Sequence, residues 1–271
     1  MVTMPTETEA GSVAMKSRRS FMFPLKIAAA FILLIGIGIS VYYYLDVQNK
    51  GVMQITSGYG AIKRVSLPDS SVIVLNGNSN IRFSKKWKED QPREIWLEGE
   101  AFFNVKHLNK TKVVSPGEHF IVHVKNINVE VLGTSFDIRQ RRDRTVIVLN
   151  SGSIKASYND GKSDLLMVPG DMVTFFTKPE TPVAKTRTEP GEFSSWTDKK
   201  LIVNNTSVKE IFHYLEDTYG KTIRVEDTSI INRRIEGTIM LDNLDDALFV
   251  LSKVLNVKIY NNDSTIIIKS K

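Results

Sequence analysis

The sequence predicts a mainly β protein with a small α+β domain at its C-terminal end, carried behind one N-terminal transmembrane helix. Three observations predict it. An uncharged apolar run occupies residues 27–45. Short apolar runs separated by turn residues fill the chain from about Ile55 to Phe176, with no helical stretch between them. Beyond Trp196 the apolar period changes from strand-like to helix-like and back.

Residues 1–24 hold Ser, Thr, Glu and basic residues without a period, so a disordered tail is expected there. Residues 25–46 read as the membrane helix. No charge falls between Lys26 and Asp46, and the run carries Ile27, Phe31, Leu34, Ile37, Val41, Tyr42, Tyr43 and Tyr44. It has the length a helix needs to cross a hydrocarbon core about 30 Å thick, where the backbone must satisfy its own hydrogen bonds. The three tyrosines suit an aromatic belt at the lipid–water boundary. Lys16, Arg18, Arg19 and Lys26 precede the run and only Lys50 follows it closely, which places the tail in the cytoplasm and the bulk outside. A cleaved signal peptide would have an apolar region of about 7–15 residues and small residues at the cut. This run is longer and ends in Tyr42-Tyr43-Tyr44-Leu45, so a retained anchor is expected.

An all-β domain, layered or solenoid-like, is expected over residues 55–177. Its runs include Val72–Leu75, Ile95–Leu97, Ala101–Phe103, Phe120–Val122, Ile127–Val131, Phe136–Ile138, Thr145–Leu149, Ser153–Tyr158 and Met172–Phe176. Asn76-Gly77-Asn78 and Gly99, Gly133, Gly152 and Gly170 punctuate them. Val146–Leu149 is apolar without alternation, as in a strand covered on both faces. Residues 178–195, with three prolines in a polar stretch, read as a linker. Residues 196–271 then give the order β-α-β-β-α-β-β. Val208, Ile211, Phe212, Leu215 and Tyr219 recur at helical spacing behind a Ser207/Glu210 capping box, and Gly220 stops that helix. Leu244, Ala247, Leu248, Leu251 and Leu255 form a second such face, with Asp245 and Asp246 in its first turn.

The chain has 271 residues, net charge +6 and no cysteine, which excludes disulfides, thiolate metal sites and cysteine nucleophiles. No phosphate loop, dinucleotide fingerprint or nucleophile elbow is present. His119 and His123 would lie about 13 Å apart on a strand, too far to share a metal. Glu98 and Glu100 read as neighbours on one strand face, roughly 6–7 Å apart; two such residues cannot flank opposite sides of a sugar, so a glycosidase reading has little behind it. No catalytic residue, cofactor or metal is expected, and the protein reads as a non-enzyme. A bulk outside the cytoplasm has no direct nucleic-acid partner. Arg139, Arg141 and Arg142 sit at a basic hairpin tip that could be a solvated turn or a salt-sensitive docking patch, and Trp196 is a packed hinge residue or a recognition residue.

Six motifs carry a resemblance. They are Leu67-Pro68-Asp69-Ser70-Ser71-Val72, Leu97-Glu98-Gly99-Glu100-Ala101-Phe102-Phe103-Asn104-Val105, Phe120-x-Val122, Leu132-Gly133-Thr134-Ser135-Phe136-Asp137-Ile138, Leu149-Asn150-Ser151-Gly152-Ser153-Ile154 and Val168-Pro169-Gly170-Asp171. In this order they resemble the FecR family of membrane-bound sigma-factor regulators. The tail from Trp196 through Leu201-x-Val203-Asn204-Asn205 to Gly237 and Leu255 is similar to the C-terminal domain of Bacteroidetes-type members, a secretin/TonB short N-terminal-like fold. The resemblance implies an inner-membrane protein with a periplasmic bulk. It would receive a signal from the signalling domain of a TonB-dependent outer-membrane receptor and act on an extracytoplasmic-function sigma factor, as an anti-sigma factor. It also implies a helical cytoplasmic domain of several tens of residues; the 24 polar residues before the anchor are too few and too aperiodic to build a core. A periplasmic envelope scaffold without sigma-factor output is the other reading.

Overall fold

The protein was analysed as a computed structural model, in which residues 32–42, 51–108, 113–158, 164–177 and 181–271 are described. Two units divide the chain, residues 1–49 and 50–271. In the first, helix α1 spans residues 32–42 and exposes the side chains of Leu34, Ile37, Val41 and Tyr42. The expected tail at 1–24 and the anchor residues Ile27, Phe31, Tyr43 and Tyr44 lie outside the described residues. Among the described residues no helix is long and apolar enough to cross a membrane.

The second unit begins with a sandwich of two sheets, each of seven strands. One sheet runs β1 (Val52–Ser57), β4 (Ser79–Ser84), β5 (Arg93–Glu98), β7 (Phe120–Val124), β8 (Ile127–Val131), β11 (Ile154–Tyr158), β12 (Asp164–Met167). The other runs β14 (Ala184–Arg187), β13 (Asp171–Phe176), β10 (Arg144–Ser151), β9 (Ser135–Arg141), β6 (Glu100–Asn104), β3 (Val72–Leu75), β2 (Lys63–Ser66). Neighbours are antiparallel except β5 and β7. Alternation within the strands sends one set of side chains inward, and both sheets contribute to one core. Phe103 stacks on Phe136 at 4.9 Å and meets Phe120 of the opposite sheet edge-on at 6.4 Å.

The chain crosses from one sheet to the other at Gly99. Its φ is +103°, and a Cβ there would come within 2.5 Å of the Ser79 hydroxyl oxygen. This corrects the expectation that Glu98 and Glu100 share a strand face: Glu98 ends β5 exposed, whereas Glu100 opens β6 in the other sheet, buried. The bend at Gly99 separates them.

The stretch read as a linker also differs from expectation. Ala184–Arg187 is strand β14 on the free edge of β13. All four of its side chains are exposed, so no apolar pattern marks it. Asp171 holds it in place, with Oδ2 2.8 Å from the Lys185 ammonium and Oδ1 3.3 Å from the Arg187 guanidinium. Helix α2 (Pro190–Ser194) and a 3₁₀ turn at Ser195–Asp198 follow.

The C-terminal part has the expected order. β15 (Lys200–Ser207) pairs with β17 (Arg234–Met240), and β16 (Thr222–Val225), β19 (Thr265–Ser270) and β18 (Val257–Asn261) form a second sheet. Helix α3 spans Val208–Tyr219; the Ser207 hydroxyl accepts from the Glu210 N–H and Gly220 ends the helix in the left-handed region. Helix α4 spans Leu244–Leu255 and is capped by Asn243, which accepts from the Asp246 N–H. The apolar faces of both helices close a core with these strands, and Val74 of β3 belongs to it, with Phe102 of β6 packed against it. The sandwich and the α+β part therefore share apolar contacts. On β10, Val146 and Val148 are buried as well as the inward Ile147 and Leu149, with α2 packed against that strand. That is the double burial the unalternating run predicts.

Candidate functional site

The polar contacts between the two parts gather on the outward face of β3, β6 and β9. Strand alternation puts Phe136 and Ile138 into the sandwich core and turns Asp137 the other way. The α+β part covers it, so Asp137 is buried and accepts a 3.1 Å hydrogen bond from the Trp196 indole N–H. Glu100, on the neighbouring strand, is buried too. Its Oε2 accepts from Asn76 Nδ2 at 2.8 Å, and the same amide donates to the Tyr214 hydroxyl of α3 at 3.1 Å. One asparagine thus joins a carboxylate of the sandwich to a helix of the other part.

Backbone contacts tighten the junction. The Gly60 N–H donates to the Thr218 carbonyl at 2.8 Å, and a Cβ at Gly77 would stand 2.7 Å from that same carbonyl oxygen. Arg141 donates to the carbonyls of Asn78 and Gly77, both at 2.7 Å. Arg142 pairs with Glu216 at 2.8 Å and Asp217 at 3.2 Å. Burial drives the electrostatics. It raises the Glu100 carboxyl against the pull of Arg139, Arg141 and the Asn76 bond. It raises Asp137 further, with the Glu100 charge adding to the effect. The Tyr214 phenol is pushed up by burial as well, and Arg141 is lowered by it.

The other singled-out residues serve the sandwich. Asp69 pairs with the buried Arg93 and accepts from the Ser71 N–H at 2.9 Å; Arg93 in turn donates to the Glu118 carbonyl at 2.6 Å. Gly133 lies where a Cβ would meet His107 at 2.4 Å, and the Thr134 hydroxyl donates to the Ser153 carbonyl at 3.0 Å. Pro169 and Gly170 form the turn into β13, and Gly152 the turn before β11. Leu67, Leu97 and Phe136 are core, Phe102 packs beneath the α+β part, and Leu132 lies beside Gly133. Pro68 lies in the loop between β2 and β3, and Glu98 is exposed. Of the residues set apart as a partner interface, Trp196 is buried and Arg141 and Arg142 are engaged within the chain, while Arg139 is half-buried. His119 bonds Glu130, and His123 bonds Asn128 and Glu94, so the two histidines have separate partners. Among the described residues no cluster of His, Asp and Glu could hold a metal ion.

This arrangement holds two structural parts together; it carries no nucleophile beside a base. Asn76, Asp137 and Tyr214 make the junction; Asp137 falls in a family motif, but nothing in the sequence marks any of the three as a junction residue. Asn76 reads as a turn residue, and Tyr214 lies off the apolar stripe of α3.

Comparison with known proteins places the same two parts. The FecR protein family model matches residues 53–155, and the FecR C-terminal family model matches residues 200–268. The chain belongs to the FecR family. Two crystal structures of a candidate anti-sigma factor from Parabacteroides distasonis ATCC 8503, at 2.50 and 1.65 Å resolution, share this fold. Each superposes with a TM-score of 0.67 at 23% identity. The alignments cover 82% and 81% of this chain and 100% and 99% of the other. No curated protein matches the chain. In FecR terms, Glu100 and Asp137 belong to the first matched region and Tyr214 to the second, so the junction ties the two family regions together.

Proposed function

We propose that this FecR-family protein is a single-pass inner-membrane signal transducer that regulates an extracytoplasmic-function sigma factor. Residues 25–46 anchor it, with the N-terminus in the cytoplasm and the all-β domain (55–177) and the α+β domain (196–271) in the periplasm. The signalling domain of a TonB-dependent outer-membrane receptor supplies the input. The observation that carries this reading is the pair of FecR family matches, in order, behind an uncharged apolar run at residues 27–45. The run supports a bilayer helix by its length and its flanking charge. A likeness in fold to a candidate anti-sigma factor supports the regulatory output.

The test is affinity capture of the full chain from native membranes, with a reporter for sigma-factor activity measured on deletion. Co-capture of a sigma factor and a TonB-dependent receptor, with an altered reporter, is expected. Capture of a secretion or transport complex with an unchanged reporter overturns the reading in favour of an envelope scaffold. Recovery of the chain in the soluble fraction overturns the membrane anchor.

A further inference from the structure

Beside the Glu100–Asn76–Tyr214 network lies a cavity of about 350 Å³ between the outward face of β9 and β10, strand β15 and helix α3. That volume is within the range of about 300–1,000 Å³ in which small-molecule sites fall. The charges that line it are mostly committed. Arg142 and Asp217 pair with each other, Arg144 lies 3.8 Å from Glu210, Glu192 accepts from Asn204 at 3.3 Å, and Glu100 accepts from Asn76. Arg139 is the exception. It stands opposite Glu100 in strand register and lines the cavity half-buried; its guanidinium forms no hydrogen bond or close ion pair with any described residue, though its charge acts on the buried Glu100 and Asp137 carboxyls. Next to it, Arg141 uses both terminal nitrogens on Gly77, Asn78 and Ser79, and its Nε is buried without a partner.

A guanidinium offers five N–H donors in a fixed fork and cannot shed its charge, so a half-buried one whose N–H groups have no hydrogen-bond acceptor is suited to an oxyanion. Low exposure strengthens that contact relative to one in open water. Apolar side chains line the cavity as well, among them Phe193, Trp196, Leu201 and Ile211. A ligand that satisfied both kinds of lining would have a charged head and a compact apolar body.

We propose that this cavity binds a small organic anion, with a carboxylate or phosphate monoester head held by Arg139 and a ring-sized apolar body against Phe193 and Leu201. The proposal does not depend on the sigma-factor reading.

Ligand-observed NMR titration of the full chain in non-ionic detergent tests it, with benzoate, phenyl phosphate, benzamide and inorganic phosphate as probes. Saturable binding of benzoate or phenyl phosphate is expected, with benzamide and inorganic phosphate each at least tenfold weaker. The better of the two anions identifies the head group. Arg139→Gln should weaken the anion at least tenfold, and Arg139→Lys, which keeps the charge and loses the fork, should fall between. Arg139 also faces buried carboxylates, so a second variant protects the test from misfolding. Asn204→Trp, at an exposed rim position, should block entry and abolish binding. Equal binding of benzamide or of inorganic phosphate, unchanged affinity in Arg139→Gln or Asn204→Trp, or no saturable binding of either anion would overturn the proposal.

Discussion

Replacing Trp196 with Phe probes the junction through one hydrogen bond. The indole N–H is 3.1 Å from Asp137 Oδ2, and both side chains are buried. Losing a hydrogen bond to a charged acceptor costs about 1.5–3 kcal/mol. The smaller ring removes roughly 40 Å² of buried apolar area, about 1 kcal/mol at 25 cal/mol per Å². The expected loss once the Asp137 carboxyl is ionised is therefore about 2.5–4 kcal/mol, or roughly 5–15 °C in Tm for a cooperative unit of this size. Its pH dependence has a definite sign. Burial holds the native Asp137 carboxyl well above 3.8, so the native state keeps this proton where the unfolded chain releases it. In that window the group's contribution to stability falls as pH rises. Without the indole donor the carboxyl rises further, so the variant should lose stability more steeply. The penalty should be smallest in acid, where a neutral acid accepts a bond worth only about 0.5–1.5 kcal/mol, and should grow with pH before levelling. Urea unfolding of both proteins across a pH series measures it. A penalty below about 0.5 kcal/mol at neutral pH, or one independent of pH, would refute the assigned bond.

Asp137→Asn keeps an acceptor for Trp196 and removes the buried charge, so its urea midpoint should exceed that of wild type at high pH and converge with it in acid. Asp171 has the opposite sign. Burial works against its charge, but the bonds from Lys185 and the Val168 N–H and the nearby Arg187 outweigh it and hold the carboxyl below 3.8. Its stabilisation is present above 3.8 and lost as pH falls through the depressed value, so Asp171→Asn should cost about 1 kcal/mol at pH 7 in thermal unfolding, and nothing in strong acid. Gly99→Ala meets both a φ of +103° and the Ser79 side chain, and should destabilise by more than about 3 kcal/mol in the same assay.

The elements visible in the sequence were those with a strong apolar pattern. Val146–Leu149 announced a strand covered on both faces, and the stripes of α3 and α4 with their caps announced helices within a residue or two of their observed ends. Polar and edge strands were silent. β4 has only Ile81 and Phe83 as apolar members, and β2 only Val65. β14 has every side chain exposed, because it contributes backbone hydrogen bonds instead of core. The paired carboxylates were misplaced because period-2 reasoning assumes an unbroken strand, and Gly99 breaks it. The junction was unreadable for a different reason. Asn76 and Tyr214 lie 138 residues apart, and Asp137 and Trp196 59 apart. A buried aspartate between two apolar strand residues looks like any outward polar position until the element that covers it is known.

That cover limits what can be learned by cutting the protein. A chain ending at Phe176 would keep nearly all of the sandwich yet uncover Val74, Phe102, Val146 and Val148 together, and would strip Asp137 and Glu100 of the groups packed over them. An exposed apolar patch of this kind invites self-association. The truncated protein would be a sticky fragment, so a phenotype of such a deletion reports lost solubility before it reports a lost partner. A nick between β13 and β14 behaves otherwise: each fragment retains surface made for the other, and the two would remain associated after the backbone is severed.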